Sequence, residues 1–278
     1  GDQVAGHRRI GQAHEGRHRA AALGHDVAIR DADGLPIREE IIEQHGTAVV
    51  TRNGYGARCL NTPEVLFADL DHARTPSLRL VLGVCALLLS GAVLAGYGCG
   101  QAYGYALALA AVLGSATAAR GLFALGRRLA GGAEAQALRR VRRYARRHPD
   151  WAIRVYRTPA GLRLLVTHRP FAPDDAQVAA FFTAVGADPL YVRMCLNQRC
   201  FRARVSAKPW RIGIAAHLKP RPGVWPVAAG RLPQRTAWIA AYECAADGYA
   251  ACTWLVTLGP AAVHPAIAPV LALHDRLS

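Results

Sequence analysis

Forty consecutive residues, Leu80 to Ala119, contain no Asp, Glu, Lys or Arg, and no other stretch constrains the fold so strongly. A bilayer core of about 30 Å takes about 20 apolar residues per helix, so the run is long enough for two spans. Inside a bilayer every backbone N–H and C=O must find an internal partner, which two helices laid back to back provide. The glycine-rich middle, GYGCGQAYG from Gly96 to Gly104, predicts the turn between them. The competing reading is a buried helical hairpin in a soluble protein. Soluble core helices of this length ordinarily carry a polar face, and this run has no charged residue to build one. A transmembrane hairpin is therefore expected over residues 78–126, entered after Thr75-Pro76.

The formal net charge of +15 lies after that hairpin. Residues 1–79 hold 10 Lys and Arg against 11 Asp and Glu, whereas residues 120–278 hold 24 against 8. Such asymmetry points to an anionic partner, either lipid headgroups or nucleic acid. Arg74 and Arg79 flank the entrance of the hairpin and Arg120, Arg127 and Arg128 its exit, while the turn carries no basic residue. The positive-inside tendency then places both termini in the cytoplasm and the turn outside. Residues 133–148 read as a helix with Leu138, Val141, Tyr144 and Ala145 on one arc. Arg139, Arg140, Arg142, Arg143, Arg146 and Arg147 fill the other arc. Six arginines beside a membrane suit the anionic lipid of the cytoplasmic leaflet, with nucleic-acid phosphate as the second partner for them.

The seven cysteines are scattered without a CxxC pair, which argues for reduced thiols rather than a disulfide framework or a zinc ribbon. The first 25 residues, rich in His, Arg and Gly, read as a loosely ordered segment with a short helix near Glu15 to Leu23. His7, His14 and His18 there read as solvated. No signal peptide heads the chain, and its opening on Gly1 suggests a trimmed N-terminus.

A short helix is expected over Arg38 to Gly46, closing an N-terminal segment of residues 1–46. Residues 47–75 form a first β part: a hairpin of Thr47–Asn53 and Ala57–Asn61, then a strand from Glu64 that ends in Asp69 and Asp71. Beyond the basic helix, residues 151–278 form the main α/β part. It opens with a hairpin of Trp151–Thr158 and Leu162–His168. Helices from Asp175 and Asp188, a strand Cys200–Ala207, a Pro- and Gly-rich loop Ala215–Gln234 and a helix Ala237–Asp247 follow. A buried strand Tyr249–Gly259 and a closing helix complete it. The fold class is α/β, an α+β sheet domain of which an RRM-like palm is one form. The hairpin interrupts it, and strands on either side complete one cytoplasmic sheet.

Three constellations could carry chemistry. Asp69 and Asp71 lie two apart on a strand and so share a face, and paired carboxylates suit Mg²⁺ or Mn²⁺ in phosphoryl chemistry. Thr158-Pro-Ala-Gly-Leu-Arg163 is a hairpin whose turn permits close backbone approach. Asp188 leads to Phe201-Arg202-Ala-Arg204, Ser206 and Lys208, a strand whose cations could cradle phosphates, with Phe201 and Trp210 as base-stacking platforms.

In that order the three resemble the primase-polymerase (archaeo-eukaryotic primase) superfamily, whose members carry an acidic strand, a Ser/Thr-x-x-Gly-x-His hairpin and a third acid with a basic strand. Here Arg163 stands where the family has its nucleotide-contacting His, with His168 five residues on, and the membrane hairpin falls between the first two motifs. The resemblance implies Asp69, Asp71 and Asp188 as metal ligands and catalytic acids of a metal-dependent nucleotidyltransferase. Arg163, His168, Arg202, Arg204 and Lys208 would bind substrate phosphates of a nucleoside triphosphate or nucleic acid. The text GADPLYVRMC, FRAR and KPWR is also similar to a group of bacterial two-helix membrane proteins, which implies a bacterial inner-membrane location. The other function class is a non-enzymatic membrane-anchored binding or scaffolding protein, whose basic surface faces lipid while a protein partner docks elsewhere.

Overall fold

The computed structural model describes residues 39–73, 75–221, 223 and 225–278. The helix expected near Glu15 to Leu23, the three N-terminal histidines and Arg74 lie outside them.

Two four-stranded antiparallel sheets form the body. In the first, β1 (Glu40–His45), β2 (Ala48–Arg52) and β3 (Arg58–Thr62) run in sequence order, and β7 (Phe201–Arg204) joins the free edge of β3. In the second, the order is β4 (Phe67–Asp71), β6 (Gly161–Val166), β5 (Ile153–Arg157) and β8 (Thr253–Leu258). Both sheets therefore close across the helical insertion, through β3 against β7 and β4 against β6. The expectation of a single shared sheet is corrected to two. The RRM-like palm is corrected as well: in a β-α-β-β-α-β palm the last strand returns beside the first, whereas β8 pairs with β5.

The apolar residues of both sheets meet in one core. Val50 and Leu60 of the first sheet, Phe67, Leu70, Ile153 and Leu164 of the second, and Phe201 of β7 are all buried. Over them pack α3 (Gly132–Arg147) through Val141 and Tyr144, and α4 (Ala176–Val185) through Phe181 and Val185. The heptad-like spacing of these positions gives each helix one apolar stripe. The short α5 (Pro189–Gln198) starts at an Asp188 N-cap with proline in its first turn, and Tyr191 donates its hydroxyl to the Phe67 carbonyl at 3.1 Å. Two further helices, α6 (Leu232–Ala246) and α7 (Ala268–Leu277), complete the chain.

The uncharged run forms α1 (Leu78–Cys99) and α2 (Gln101–Leu129), both long and apolar enough to cross a membrane. Ser77 caps α1, accepting from the Leu80 N–H at 3.3 Å. The glycine-rich middle is mostly helical rather than a loop: the reversal rests on Gly100 alone, at φ 108° and ψ 148°, a conformation open essentially to glycine. Gly104 lies against Gly96, where an added Cβ would come within 2.8 Å of the Gly96 Cα, so the two backbones cross in close contact.

Two elements differ from expectation. Arg38 to Gly46 was expected as a helix, yet residues 40–45 pair with β2 from Glu40 opposite Arg52 to His45 opposite Ala48. The reason is tertiary: Glu39 reaches Arg202 at 2.6 Å, while its neighbour Glu40 reaches Arg235 at 2.7 Å. Consecutive side chains point to opposite faces only in an extended chain. Tyr249 to Gly259 was expected as a buried strand, but β8 is an edge strand with Trp254 exposed.

Substituting Gly104 by Val should loosen the hairpin, because the contact is with backbone that cannot move aside. In detergent-solubilised protein the variant is expected to lose about 1–3 kcal/mol of unfolding free energy. Gly98→Ala, which meets nothing within 4 Å, should match the wild type.

Candidate functional site

The register of the second sheet places Asp69 directly opposite Arg163. Arg163 Nε donates to Asp69 Oδ1 at 2.8 Å and Nη2 to Oδ2 at 3.2 Å, while Nη1 crosses to the Arg204 carbonyl of the first sheet at 2.7 Å. Arg163 is only 1% exposed. Burial opposes its charge, but Asp69 beside it more than restores it and holds the guanidinium above its ordinary range. The guanidinium expected to meet substrate phosphate is thus inside the protein and bonded at both ends.

Asp188 comes close to Asp69 through the backbone, its N–H donating to the Asp69 carbonyl at 2.9 Å. Its carboxylate turns the other way, accepting from the N–H groups of Leu190 and Tyr191 at 3.3 Å each. Asp71, two residues beyond Asp69, is exposed and lines a separate cleft. Among the described residues no three His, Cys, Asp or Glu side chains gather to hold a metal ion. Both oxygens of Asp69 serve Arg163 and those of Asp188 serve its own helix. This donor set does not fit Mg²⁺ or Mn²⁺, and no catalytic step is derived through a metal.

The other expected phosphate ligands are also distributed. Arg202 is buried on β7, and its Nη2 donates to both oxygens of Glu39, at 2.8 and 2.6 Å. Arg204 donates from Nε to the Ser206 carbonyl at 3.3 Å. Lys208 sits 5.3 Å from the centre of the Trp210 ring, which itself packs against Tyr55. His168 lies past the end of β6 in an aromatic cluster with Trp151 and Phe171, at centroid distances of 5.0 and 5.4 Å. Burial holds its pKa below the ordinary imidazole value. Arg163 and Arg202 are buried, so neither offers its guanidinium to a ligand in solvent.

Tertiary structure adds a third group, Cys252, to the sequence-adjacent pair His274-Asp275. Cys252 Sγ lies 3.7 Å from His274 Nε2, and His274 Nδ1 lies 3.1 Å from Asp275 Oδ1. The order is that of a thiol nucleophile, its base and an orienting acid. The environment speaks against that chemistry. Cys252 is 6% exposed and His274 fully buried, and burial pushes the thiol up and the imidazole down, so both rest neutral. Asp275 is also engaged by Tyr156 at 2.6 Å and Arg154 at 3.0 Å, and hydrogen bonds from His274 and Tyr156 hold its carboxyl below the usual range against its burial. The cluster is a closed packing element that ties α7 to β5.

The outer face of α3 exposes all six expected arginines, with Ala137, Val141 and Tyr144 on its buried side. Where that face meets the end of α2 and the turn after β4, Arg127, Arg139, Arg140, Arg143, His72 and Asp71 line a cleft of about 410 Å³. Residues 71, 127, 140 and 186 are remote in sequence, so no linear motif could mark it. On the first sheet, Gly54, Tyr55, His217 and Arg221 line a shallower depression of about 600 Å³ beside Trp210. Compared with known proteins, the chain matches no family model, and no curated protein or solved structure proves similar to it.

Asp69→Ala leaves a buried guanidinium without its carboxylate. The expected consequence is a loss of about 3–5 kcal/mol in denaturant unfolding, against a change of at most about 0.5 kcal/mol for the exposed Asp71→Ala.

His274 supplies a pH prediction. A buried histidine whose folded pKa lies below its unfolded value of about 6.5 binds fewer protons folded than unfolded. Its contribution is therefore complete above that value and is lost as pH falls below it toward the folded pKa. Melting temperature should decline between pH 7 and 5, and His274→Gln should flatten the decline; an unchanged slope would exclude the assignment. His72 and His168, also held down by burial, contribute the remaining slope.

Proposed function

We propose that the chain is a membrane-anchored binding module: α1 and α2 cross the bilayer, and the two-sheet body lies on the anionic cytoplasmic leaflet with the arginines of α3 against lipid. The observation that carries this reading is the exposure of the hairpin. Leu87 and Leu94 of α1 are 73% and 72% exposed, Leu113 of α2 is 73% exposed, and only 11% and 17% of the two apolar windows are buried. A core hairpin of a soluble protein would cover these side chains with protein, and in water they would form an apolar patch far larger than soluble surfaces carry. At 1.5 Å per residue, the 22 residues of α1 extend about 33 Å, the thickness of a bilayer core. The uncharged part of α2 ends at Arg120, and Arg127 and Arg128 follow at the depth where phosphates begin.

The basic surface supports the same orientation. The outward arginines of α3 follow the second span after a break of Ala130 and Gly131, so they sit beside the membrane. Each such cation contributes about 1 kcal/mol near an anionic surface, weakening with salt. The body gives a protein partner the remaining surface.

A second reading, binding of a nucleotide or nucleic acid, draws support from the corner of Tyr55, Trp210 and His217. Trp210 is 48% exposed and flanked by Lys208 and Tyr55, an arrangement on which a base can stack. Metal-dependent nucleotidyl transfer draws no such support, since Asp69 is taken by Arg163, Asp188 by its own helix, and Asp71 lies exposed in a separate cleft.

The orientation is tested with the chain's own exposed cysteines, Cys99 at the hairpin tip and Cys244 on α6. In intact spheroplasts expressing the full chain, a membrane-impermeant maleimide should label Cys99 and spare Cys244 until the membrane is permeabilised. Labelling of Cys244 from outside, or release of the chain by alkaline carbonate, would refute the proposed topology.

A further inference from the structure

The cleft at the foot of the hairpin has features beyond those of a general basic face. Its four arginines come from two elements, Arg127 from the last turn of α2 and Arg139, Arg140 and Arg143 from α3. Two are fixed by backbone rather than by carboxylates: Arg127 Nη1 donates to the Ala73 carbonyl at 3.1 Å and Arg139 Nη2 to the Ala130 carbonyl at 2.6 Å. These bonds aim the guanidinium groups and leave their charge uncompensated. Arg140 and Arg143 form no ion pair among the described residues. Glu134, the acid in the first turn of α3, is taken by Arg157 in a two-pronged pair at 2.7 Å. Asp71 is the lone carboxylate in the lining.

Like charges three and four residues apart on a helix repel. Holding Arg139, Arg140 and Arg143 there costs stability that an anion in the cleft would return. Gly186 makes room for the Arg140 guanidinium. With φ 73° it ends α4, and a Cβ at that position would come within 2.6 Å of Arg140 Nη1. The guanidinium therefore lies against bare backbone. The volume, about 410 Å³, suits a small headgroup rather than a polymer.

We infer that this cleft binds the terminal phosphomonoester of an anionic lipid headgroup, held by Arg127, Arg139, Arg140 and Arg143. A phosphomonoester offers two negative charges and three oxygens, which match several planar guanidinium forks better than a diester does. The lipid source follows from position: Arg127 stands at the end of the second span, at headgroup depth. The inference rests on the membrane-anchored reading and adds a discrete site to its diffuse basic surface.

The test uses the full chain in a neutral detergent, titrated with dioctanoyl phosphatidate, dioctanoyl phosphatidylcholine or inorganic phosphate while melting temperature is followed. The phosphatidate should raise the melting temperature saturably. Arg140→Gln with Arg143→Gln should weaken its apparent affinity at least tenfold, whereas Arg146→Gln with Arg147→Gln, outside the cleft, should leave it within twofold. Gly186→Ala, which displaces Arg140 without removing charge, should also weaken it. An equal response to phosphatidylcholine, or equal losses in both arginine pairs, would overturn the site in favour of acyl-chain or general charge effects. A matching response to inorganic phosphate would overturn the lipid assignment and leave a free-anion site. The cysteine labelling above judges the membrane reading separately, so either can fail alone.

Discussion

The contact on which the body depends is the Asp69–Arg163 pair. It joins the edge strand β4 to β6 within one sheet, and through the third donor bond to the Arg204 carbonyl it ties that sheet to the other. The Asp69 carbonyl receives the Asp188 N–H, and two residues earlier the Phe67 carbonyl receives Tyr191, so α5 is seated on the same strand. A guanidinium at 1% exposure tolerates its burial only while its donors are satisfied. This arrangement fixes how the two sheets meet, and β4 also leads directly to the apolar helical hairpin.

Two groups of arginine stand apart among the described residues. Arg52, Arg163, Arg202 and Arg235 are buried and paired to Glu243, Asp69, Glu39 and Glu40 at 2.6–2.8 Å, where they act as packing elements that happen to be ionic. The arginines of α3 lie outside, with carboxylates scarce around them. Six arginines of the basic half of the chain are thus displayed together on the outer face of α3, where they can act on an anionic surface. The same residue type supplies the internal staple and the external face, and burial separates the roles.

Much of the fold was legible locally. The β2–β3 and β5–β6 hairpins, α4, the Asp188-capped α5 and the amphipathic α3 follow from period and turn residues, because those signals act over a few neighbours. The failures share a cause. Glu39 and Glu40 are good helix formers drawn into an extended chain by arginines more than 160 residues away. β8 reads as a buried apolar run, but apolar text does not state whether a strand ends at an edge. Asp69, Asp71 and Asp188 look like a ligand set in sequence order, and only the register of β4 against β6 shows that Asp69 faces an arginine.

By itself the sequence determined the helical hairpin, its flanking charge and the amphipathic α3, since hydrophobic length and periodicity are properties of contiguous residues. Tertiary structure decided the rest: that the strands beside the insertion complete two sheets, that Arg163 and Arg202 are interior, and that residues 71, 127, 140 and 186 converge on one cleft. Charge partners and clefts arise from contacts between distant segments, and no local signal specifies which distant segment a buried guanidinium will meet.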